Sequence, residues 1–178
     1  GAGADLFRIT EVSNTGDDTI EDFSTGDGDQ VDVSGINISE FSTVQQFLSD
    51  DGTDSFFSYT FGGTVFTTTI EGVGDSSTLT AADFLLSTDV VNNSFSGTSS
   101  VDNMFGGLGD DVISSSFGND LVFGEGGNDQ LNGQRDDDTL IGGAGNDTLT
   151  GGDDFDVLIG GAGADLFRIT EVSNTGDD

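Results

Sequence analysis

The sequence predicts an all-β protein in which a parallel β-roll of nine-residue repeats adjoins a small β-rich spacer, or cap, with short helices. Three observations predict the roll. From Gly97 onward an aspartate recurs at every ninth residue, an apolar residue stands two places after each aspartate, and glycines cluster before it. A fixed short period of this kind is the sequence signature of a solenoid, in which each repeat packs only against its neighbours.

The register of the repeat is strict. The units read GTSSVDNMF, GGLGDDVIS, SSFGNDLVF, GEGGNDQLN, GQRDDDTLI, GGAGNDTLT, GGDDFDVLI and GGAGADLFR. A degenerate unit before them begins at Thr88 and places Asn93 and Phe95 at positions six and eight. A flexible glycine-rich linker would not keep an apolar residue in step with the aspartate. The position-six aspartates are Asp102, Asp111, Asp120, Asp129, Asp138, Asp147, Asp156 and Asp165.

Each unit is predicted to form a turn followed by a short strand. Glycine at positions one, two and four lets the backbone adopt positive φ without a steric clash. The last three residues suffice only for a short strand, whose period of two points position eight to one side and positions seven and nine to the other. Two units make one coil, so turns two units apart stack, their aspartates converge with exposed carbonyl oxygens, and position eight forms an internal apolar ladder.

The charge balance indicates that a hard cation completes the fold. The chain has 34 acidic residues against three basic ones and a formal net charge of −31. Carboxylate and carbonyl oxygens suit Ca²⁺, and stacked aspartates without a cation would repel one another, so folding is predicted to depend on calcium. The 15 phenylalanines argue against a disordered acidic chain. The same charge makes nucleic-acid binding unfavourable.

The missing residue types exclude most catalytic chemistry. The chain has no histidine and no cysteine, which excludes Ser-His-Asp triads, HExxH zinc sites, disulfides and thiolate metal sites. All three basic residues are arginine, which excludes lysine Schiff bases and Lys–Asn isopeptide bonds. Paired-carboxylate catalysis is not formally excluded, but so acidic a chain forms such pairs by density alone. We therefore predict no enzymatic activity.

No targeting or membrane segment is apparent. No apolar run approaches the roughly 20 residues that a membrane span needs, and no signal peptide is visible at the first residues. The chain begins with Gly rather than Met, and we expect it to be processed or to be a window of a longer protein.

A second repeat is much longer. Residues 1–18 and 161–178 both read GAGADLFRITEVSNTGDD, 160 positions apart. We interpret this identity as one full period, with an overlap, of a protein built from tandem 160-residue units; a duplicated cloning boundary is the alternative. On this interpretation residues 1–9 are the last nonamer of a preceding roll, 10–87 the β-rich spacer, 88–168 the roll, and 169–178, a copy of 9–18, the start of the next spacer.

The nonamers resemble the GGxGxDxUx repeats of RTX proteins over residues 97–168. In that family a Ca²⁺ ion takes carbonyl oxygens of positions two and four and the aspartate of one turn. The turn two units on adds carbonyl oxygens of positions one and three and its own aspartate. The resemblance therefore implies several Ca²⁺ ions. Besides the eight position-six aspartates, the implied ligands are the backbone oxygens of Gly107, Gly109, Gly124, Gly126, Gly142, Gly143, Ala144, Gly145, Gly160 and Ala162.

Three pairs of turns follow the family pattern closely, and each pair implies one shared ion. The implied sets are Gly107, Gly109 and Asp111 with Gly124, Gly126 and Asp129; Glu125, Gly127 and Asp129 with Gly142, Ala144 and Asp147; and Gly143, Gly145 and Asp147 with Gly160, Ala162 and Asp165.

Three other turns are irregular. Ser115-Ser116 replaces the glycine pair, while Gln134-Arg135-Asp136 and Asp154-Phe155 interrupt the pattern. Weak or empty sites are expected at these turns. Arg135 could instead supply an internal cation there, with a solvated side chain as the alternative.

The beginning of the chain resembles the flank that follows the repeats in serralysin-type proteases and other type I secretion substrates. The flank has a GADxF strand, a DTIxDF motif and a strand of the form D-x-hydrophobic-D-hydrophobic-S, here at 3–7, 18–23 and 29–34. In such flanks acidic residues cap the last coil, which implies Glu11 and Asp18 as candidates. The resemblance implies an extracellular or cell-surface protein exported by type I secretion.

The rest of the spacer is predicted to combine strands with short helices, and its aromatic residues are expected to form a core. A carbohydrate- or partner-binding face is the alternative for these aromatics, which are Phe56, Phe57, Tyr59, Phe61 and Phe66. The predicted elements are a strand of Val31-Asp-Val33 and Ile36, a helix with a capping box at 42–45 and apolar residues Phe41, Val44, Phe47 and Leu48, a hairpin of 55–61 and 64–73 around Gly62-Gly63, and a helical turn at 80–83 with Phe84 and Leu85.

Three functions fit the sequence, and we favour the first. It is an extracellular calcium-binding structural protein, whose tandem units assemble into a filament, sheath, surface layer or adhesin stalk. Its partners would be other copies of itself, and a cell-surface or matrix polysaccharide is a further candidate. The alternative is the C-terminal RTX secretion module of a type I-secreted toxin or hydrolase, although the chain carries no catalytic part. A ligand- or ice-binding module would need outward threonine arrays, whereas positions seven and nine are mixed.

Overall fold

A computed structural model describes residues 3–9, 18–39, 41–61, 63–88 and 90–169. The chain forms two compact units: a spacer unit of residues 1–60 and 64–89, and a roll unit of residues 61–63 and 90–178. The proposed capping residue Glu11 and the side chain of Asp18 lie outside the described residues. No helix in the described ranges is long and apolar enough to cross a membrane.

The spacer unit contains two small sheets over a buried apolar core that includes Val31, Val33, Ile38 and Phe57. One sheet is parallel in the order β1-β3-β7, and the other has the order β2-β6-β5-β4. Its helix is α1 (Phe41–Gln46), with 3₁₀ turns at Ser34–Ile36, Ser76–Thr78 and Ala81–Asp83. The strands are β1 (Leu6–Arg8), β2 (Asp18–Ile20), β3 (Gln30–Asp32), β4 (Leu48–Asp50), β5 (Ser55–Phe61), β6 (Thr64–Ile70) and β7 (Phe84–Leu85).

The predicted hairpin and the predicted helical turn are confirmed. Strands β5 and β6 are neighbours, and the Ser58 hydroxyl donates across them to Thr67 Oγ1 at 3.0 Å. Strand β6 ends at Ile70 rather than at residue 73, because the chain turns at Gly72 with a φ of 80°. At the 3₁₀ turn Ala81–Asp83, Thr80 and Asp83 form a capping box. The aromatic core is confirmed for Phe57 and Tyr59, which are buried.

The predicted helix near residue 42 is shorter than expected. Helix α1 begins at Phe41, so Ser42 lies inside it and the predicted capping box at 42–45 is wrong. The helix ends at Gln46, and Leu48 starts strand β4 instead of continuing the apolar helix face. Antiparallel pairing of Leu48 with Phe57 supplies strand hydrogen bonds that helix continuation would forgo.

The roll unit consists of two facing parallel sheets, as predicted. One has the order β16-β14-β12-β10-β8 and the other β15-β13-β11-β9. Partner residues are two units apart, as in Leu131 with Leu149 and Val122 with Leu140. The strands are β8 (Ser94–Ser96), β9 (Asn103–Gly107), β10 (Val112–Ser116), β11 (Leu121–Gly126), β12 (Gln130–Gln134), β13 (Thr139–Ala144), β14 (Thr148–Gly152), β15 (Val157–Ala162) and β16 (Leu166–Arg168).

The position-eight side chains from Met104 to Leu149 form the roll's core, which confirms the predicted apolar ladder there, whereas Phe167 in the last coil is 46% exposed. Phe95 and Leu158 pack against the ends of this ladder. Full burial of one such side chain contributes about 1.5–3 kcal/mol. The ladder residues, each at most 2% exposed, are Met104, Ile113, Val122, Leu131, Leu140 and Leu149.

Two side chains at position nine, which is expected to face outward, are covered rather than exposed to solvent. Phe105 and Phe123 are buried, and their rings stack at a centroid distance of 5.5 Å. Most strands are also longer than the predicted three residues, because they continue from position seven into the first residues of the next turn. The parallel partner one coil away continues the ladder there, as in the pair Glu125 and Gly143.

Position two of the turns has a left-handed backbone regardless of its residue type. Position two has positive φ in every turn from Gly107 to Gly161, including Ser116 (88°), Glu125 (70°) and Gln134 (76°). Asp136 and Asp154 likewise have positive φ at position four, where other turns have glycine. The irregular turns therefore depart from the family in sequence while keeping its backbone, at a cost of about 1–2 kcal/mol for each left-handed residue that is not glycine.

Replacing Ser116 with glycine should therefore stabilise the roll. We expect Ser116→Gly to raise the free energy of unfolding in saturating calcium by about 1 kcal/mol, because relief of the left-handed strain outweighs the added backbone entropy of the unfolded chain. Ser96→Gly is the matched control, since Ser96 lies in strand β8 outside the left-handed region. The control should lower the free energy by about 0.5–1 kcal/mol. Equal effects of the two variants in urea unfolding would contradict the assignment of strain.

Candidate metal centre

From Asp111 onward, each position-six aspartate uses one carboxylate oxygen to join two turns. The Asp111 N–H donates to Asp129 Oδ1 at 2.8 Å, and the Asp129 N–H donates to Asp147 Oδ1 at 2.8 Å. The same bond links Asp120 to Asp138 at 2.8 Å. These bonds form two ladders, one on each side of the roll, and they fix the orientation of every carboxylate.

The second carboxylate oxygen of these aspartates points into the space between turns and has no donor. Oδ2 is buried without a hydrogen-bond partner in Asp111, Asp120, Asp129, Asp138 and Asp147. A buried carboxylate oxygen without a partner costs several kcal/mol unless the group is protonated or meets a cation. The regular repetition of the same unpaired oxygen indicates that each of these five turns takes up a cation or a proton.

Carbonyl oxygens of positions two and four face the same space. The carbonyl oxygens of Glu125 and Gly127 lie so close to the Cα atoms of Gly143 and Gly145 that a Cβ at either glycine would overlap them. The carbonyl oxygens of Gly143 and Gly145 approach the following turn at Gly161 and Gly163 in the same way. Glycine is required here because the backbone directs oxygen atoms between the stacked turns.

Carbonyl oxygens of positions one and three point back from the later turn. A Cβ on Gly124 would lie 2.6 Å from the Gly142 carbonyl oxygen and would also overlap Asp129 Oδ2. These two oxygens therefore converge on one side of Gly124. The carbonyl oxygen of Ala144 faces the earlier turn too, because it accepts a hydrogen bond from the Gly127 N–H at 2.8 Å.

The same arrangement recurs at the other two regular turn pairs. Asp111 Oδ2 and the Gly124 carbonyl oxygen converge beside Gly106, and Asp147 Oδ2 and the Gly160 carbonyl oxygen converge beside Gly142. The Ala162 carbonyl oxygen accepts from the Gly145 N–H at 2.8 Å. Gly109 directs its carbonyl oxygen towards Gly127, while Gly107 pairs with Glu125 in the sheet and Gly126 lies in the facing turn.

These oxygens fit a calcium ion. Ca²⁺ takes six to eight oxygen ligands in flexible geometry, and carboxylate and backbone carbonyl oxygens are both ordinary ligands. Among the described residues no group of three or more acidic, histidine or cysteine side chains forms a metal cluster. That result agrees with cages in which the backbone supplies most of the oxygens, since each turn adds only one aspartate. A bound ion would supply the positive charge that the buried Oδ2 atoms lack.

The remaining predicted aspartates differ in their surroundings. Asp138 resembles the regular sites, since its Oδ2 and the Gly151 carbonyl oxygen converge beside Gly133. Asp156 and Asp165 are half-buried at the last coil, where their Oδ1 atoms accept from the N–H groups of Asp138 and Asp147 at 3.1 Å. Asp102 is buried and already accepts donors on Oδ2.

Arg135 does not supply an internal cation. Its side chain is 62% exposed, its Nε lies 3.9 Å from Asp153 Oδ2, and its guanidinium stacks 5.1 Å from the Phe117 ring centroid. The suggestion that it replaces a metal ion is therefore wrong, and the solvated alternative is confirmed. The reason is that the side chain at position three points away from the cage, although the carbonyl oxygen of that position faces it.

Burial perturbs the titration of the cage aspartates. It raises the pKa of Asp120 to about 6 and the pKa of Asp129 and Asp138 to about 7. Burial also raises the pKa of Asp111 and Asp147. Neighbouring carboxylates add to the increase, as Asp147 and Asp111 do at Asp129. A proton can thus occupy a cage when no cation does.

A second hydrogen-bond ladder, which the repeat pattern was not expected to form, lies on the outside of the turns. The position-five side chains of Asp110, Asn128 and Asn146 accept from the N–H of position five one coil further on, at 2.7 Å for Asp110 with Asn128 and 2.9 Å for Asn128 with Asn146. The frequency of Asp and Asn at position five was the available signal. This ladder ends at Ala164, which accepts no such bond because it lacks a side-chain oxygen.

Comparison with known families identifies the repeats. A family model described as the RTX calcium-binding nonapeptide repeat, four copies, matches residues 96–131 and again 132–167. These residues are therefore RTX repeats of the kind that binds several Ca²⁺ ions, and their roll is a structural calcium-binding fold rather than a catalytic one. No curated protein and no solved structure is significantly similar to the chain.

Removing one cage carboxylate should weaken calcium-coupled folding. We expect Asp129→Asn and Asp147→Asn each to raise the calcium concentration at the folding midpoint by about tenfold or more. Loss of a ligand should lower the calcium affinity at least as much as loss of a residue that only hydrogen-bonds to a ligand. Asp27→Asn removes the same charge from an exposed site and should leave the midpoint nearly unchanged. The midpoint is read from circular dichroism during calcium titration, and an unchanged midpoint in both cage variants would refute the shared cages.

The raised pKa values also predict a pH effect in excess chelator. The folded-state pKa of Asp129 and Asp138 is about 7, and the ordinary aspartate value is 3.8. The metal-free folded state therefore binds more protons than the unfolded state, so its stability falls as pH rises between about 4 and 7. The β-sheet circular dichroism should be stronger at pH 5 than at pH 8.

A weaker pH dependence is expected for Asp129→Asn, because the amide does not titrate. An increase of β-sheet signal with pH in chelator would contradict the burial of the cage carboxylates.

Proposed function

We propose that this chain, whose residues 96–167 are RTX calcium-binding repeats, is an extracellular structural protein. In this proposal 160-residue units follow one another in tandem, and calcium stiffens them into a filament, sheath, surface layer or adhesin stalk. Low free calcium inside the cell would keep the acidic chain unfolded for type I export, and calcium outside would fold it. The observation that carries the proposal concerns a strand sequence that occurs twice in the chain. Its copy in the spacer unit and its copy in the roll unit pair with their neighbours through opposite edges.

Strands β1 and β16 have the same sequence but use opposite edges. In the roll unit the Leu166 N–H donates to the Asp147 carbonyl oxygen at 2.8 Å. In the spacer unit the Asp5 carbonyl oxygen accepts from Gln30, and the Ile9 N–H donates to Asp32, both at 2.9 Å. Successive N–H groups of a strand point to opposite edges, so the edge used by residues 5 and 9 is opposite to the edge used by residue 6 or its copy, Leu166. A single strand of this sequence can complete a roll on one side and begin a spacer on the other.

The spacer contacts of β1 also repeat those inside the roll. The Asp5 N–H donates to Asp29 Oδ1 at 2.8 Å, as the Asp147 N–H donates to Asp165 Oδ1. Phe7 pairs with the fully buried Val31, as Phe167 pairs with Leu149. The aspartate ladder and the apolar ladder of a roll would therefore continue into the spacer that follows it.

An ion pair adds specificity to this junction. Arg8 Nε lies 2.6 Å from Asp32 Oδ2, and the Asp32 side chain is only 1% exposed. The copy of Arg8 at the end of the roll is Arg168, whose strand lies at the edge of its sheet. An unpaired sheet edge favours addition of another strand. In a tandem array that strand would be the Gln30–Asp32 segment of the next unit.

A chain extended by one period tests the proposal. This extended chain consists of residues 1–178 followed by a second copy of residues 19–178. We expect Arg168→Ala to lower the free energy of unfolding of the extended chain by about 1–2 kcal/mol, since it removes a charge-assisted bond to a buried carboxylate. The same substitution in the 178-residue chain should have little effect, because Arg168 is exposed there.

Two further observations complete this test. The Ile169 amide should be protected from hydrogen exchange only in the extended chain, and electron micrographs in millimolar calcium should show rods that are lost in chelator. Arg135→Ala is the matched control and should act equally in both chains. Equal effects of Arg168→Ala in the two chains, or an unprotected Ile169 amide in both, would contradict the tandem arrangement.

A further inference from the structure

The first turns of the roll contain protein donors where the later turns present only acceptors. In the later turns the space between two coils is lined by the position-six Oδ2 and by the position-one and position-four carbonyl oxygens. Three residues early in the roll, each of a different type, place hydrogen-bond donors in this space. They are Asn93, Thr98 and Ser115.

Asn93 takes the place of a cage aspartate and donates towards the cage. Its Nδ2 lies 3.0 Å from the Gly106 carbonyl oxygen and 3.1 Å from the Val91 carbonyl oxygen. Gly106 holds position one of the later turn and Val91 holds position four of the earlier turn, so these are two of the oxygens that meet the ion in a regular cage. The amide thus removes a negative charge and also places N–H groups on the oxygens that a cation would bind.

Thr98 satisfies the oxygen that is unpaired elsewhere. Its N–H donates to Asp102 Oδ2 at 2.7 Å, and its hydroxyl oxygen lies 3.0 Å from the same atom. Asp102 Oδ2 lies beside Gly97, at the place where Asp129 Oδ2 lies beside Gly124. The carboxylate of this turn therefore meets two donors from its own turn.

Ser115 occupies part of the next cage on the same side of the roll, where Asp120 Oδ2 itself has no hydrogen-bond partner. It is fully buried at position one, where the regular turns have glycine, and its hydroxyl donates to the Gly133 carbonyl oxygen at 2.8 Å. Gly133 is the position-one residue of the later turn, equivalent to Gly142 opposite Asp129. At Gly106, Gly124, Gly133 and Gly142 a Cβ would overlap the aspartate oxygen, so a side chain at this position occupies cage space.

We propose that the first coils of this roll form a metal-free cap, in which the side-chain donors of Asn93, Thr98 and Ser115 replace calcium ions. Calcium binding then begins at the cage of Asp111 on one side of the roll and at the cage of Asp138 on the other. Four turn pairs keep a position-one glycine, an unpaired Oδ2 and a converging carbonyl oxygen; their earlier turns carry Asp111, Asp129, Asp138 and Asp147.

The replacement has a physical basis. A neutral amide or hydroxyl donor satisfies carbonyl oxygens without requiring dissolved metal, whereas a cage of oxygens alone needs a cation to be stable. The end of the roll that has no earlier coil to stack on is thereby held by permanent hydrogen bonds. This cap does not depend on the tandem arrangement proposed above, because all of its contacts lie within the roll unit.

Restoring the acidic or glycine residue should create a new calcium site. We expect Asn93→Asp and Ser115→Gly each to bind one more Ca²⁺ ion per chain than the unmodified 178-residue protein, and the double variant to bind two more. Bound calcium is counted by elemental analysis after equilibrium dialysis at saturating calcium, with isothermal titration calorimetry as an independent count. Asn92→Asp and Ser114→Gly are the matched controls, since each makes the same change one residue away, at position five and at position nine, and should add no ion.

The number of bound calcium ions distinguishes a metal-free cap from cages that still bind calcium when Asn93, Thr98 and Ser115 are present. An unmodified protein that already binds an ion at every turn pair, or variants that fold and bind no additional ion, would overturn the proposal. Circular dichroism in calcium verifies folding of each variant. If Ser115→Gly does not fold, Asn93→Asp decides the question, because it exchanges one atom of nearly equal size at a half-buried residue.

Discussion

Burial of like charges in two columns is the constraint on which the roll depends. From Asp111 onward each position-six aspartate accepts a hydrogen bond through Oδ1 from a backbone N–H one coil earlier, as Asp129 does from Asp111. In Asp111, Asp120, Asp129, Asp138 and Asp147 this leaves Oδ2 facing inward among carbonyl oxygens, without a hydrogen-bond partner. A column of such groups is unstable unless a cation or a proton is present. The fold is consequently coupled to calcium through the same hydrogen bonds that align its turns.

The turn conformation follows from the same constraint. Position two adopts positive φ in these turns, and the Glu125 carbonyl oxygen approaches Gly143 so closely that no Cβ fits at that glycine. Ser116 and Gln134 keep this conformation without being glycine, so the stacking of neighbouring coils determines the backbone more strongly than local preference does. The apolar ladder beneath adds the nonpolar burial that makes the stack cooperative.

The first and the last coils of the roll differ in the contacts that they make. At the beginning, donors from Asn93, Thr98 and Ser115 satisfy the oxygens that calcium would bind elsewhere. At the end, strand β16 leaves an edge whose copy in β1 pairs with Gln30–Asp32. A roll with a fixed first coil and an open last edge has a direction, which suits a protein built from consecutive units.

The sequence by itself determined the repeat register, the inward position of the ladder residues such as Leu131 and Leu140, the calcium chemistry and the hairpin at 55–70. These features depend on spacing and residue type, which are local. Only the tertiary structure decided which oxygens are unpaired, that Leu48 leaves the helix to pair with Phe57, and that Arg135 lies at the surface. It also decided that Asn93 and Ser115 direct donors into the cages. The reason is that these contacts join residues about one coil apart, and their partners are fixed by stacking and strand pairing rather than by neighbouring residues in the chain.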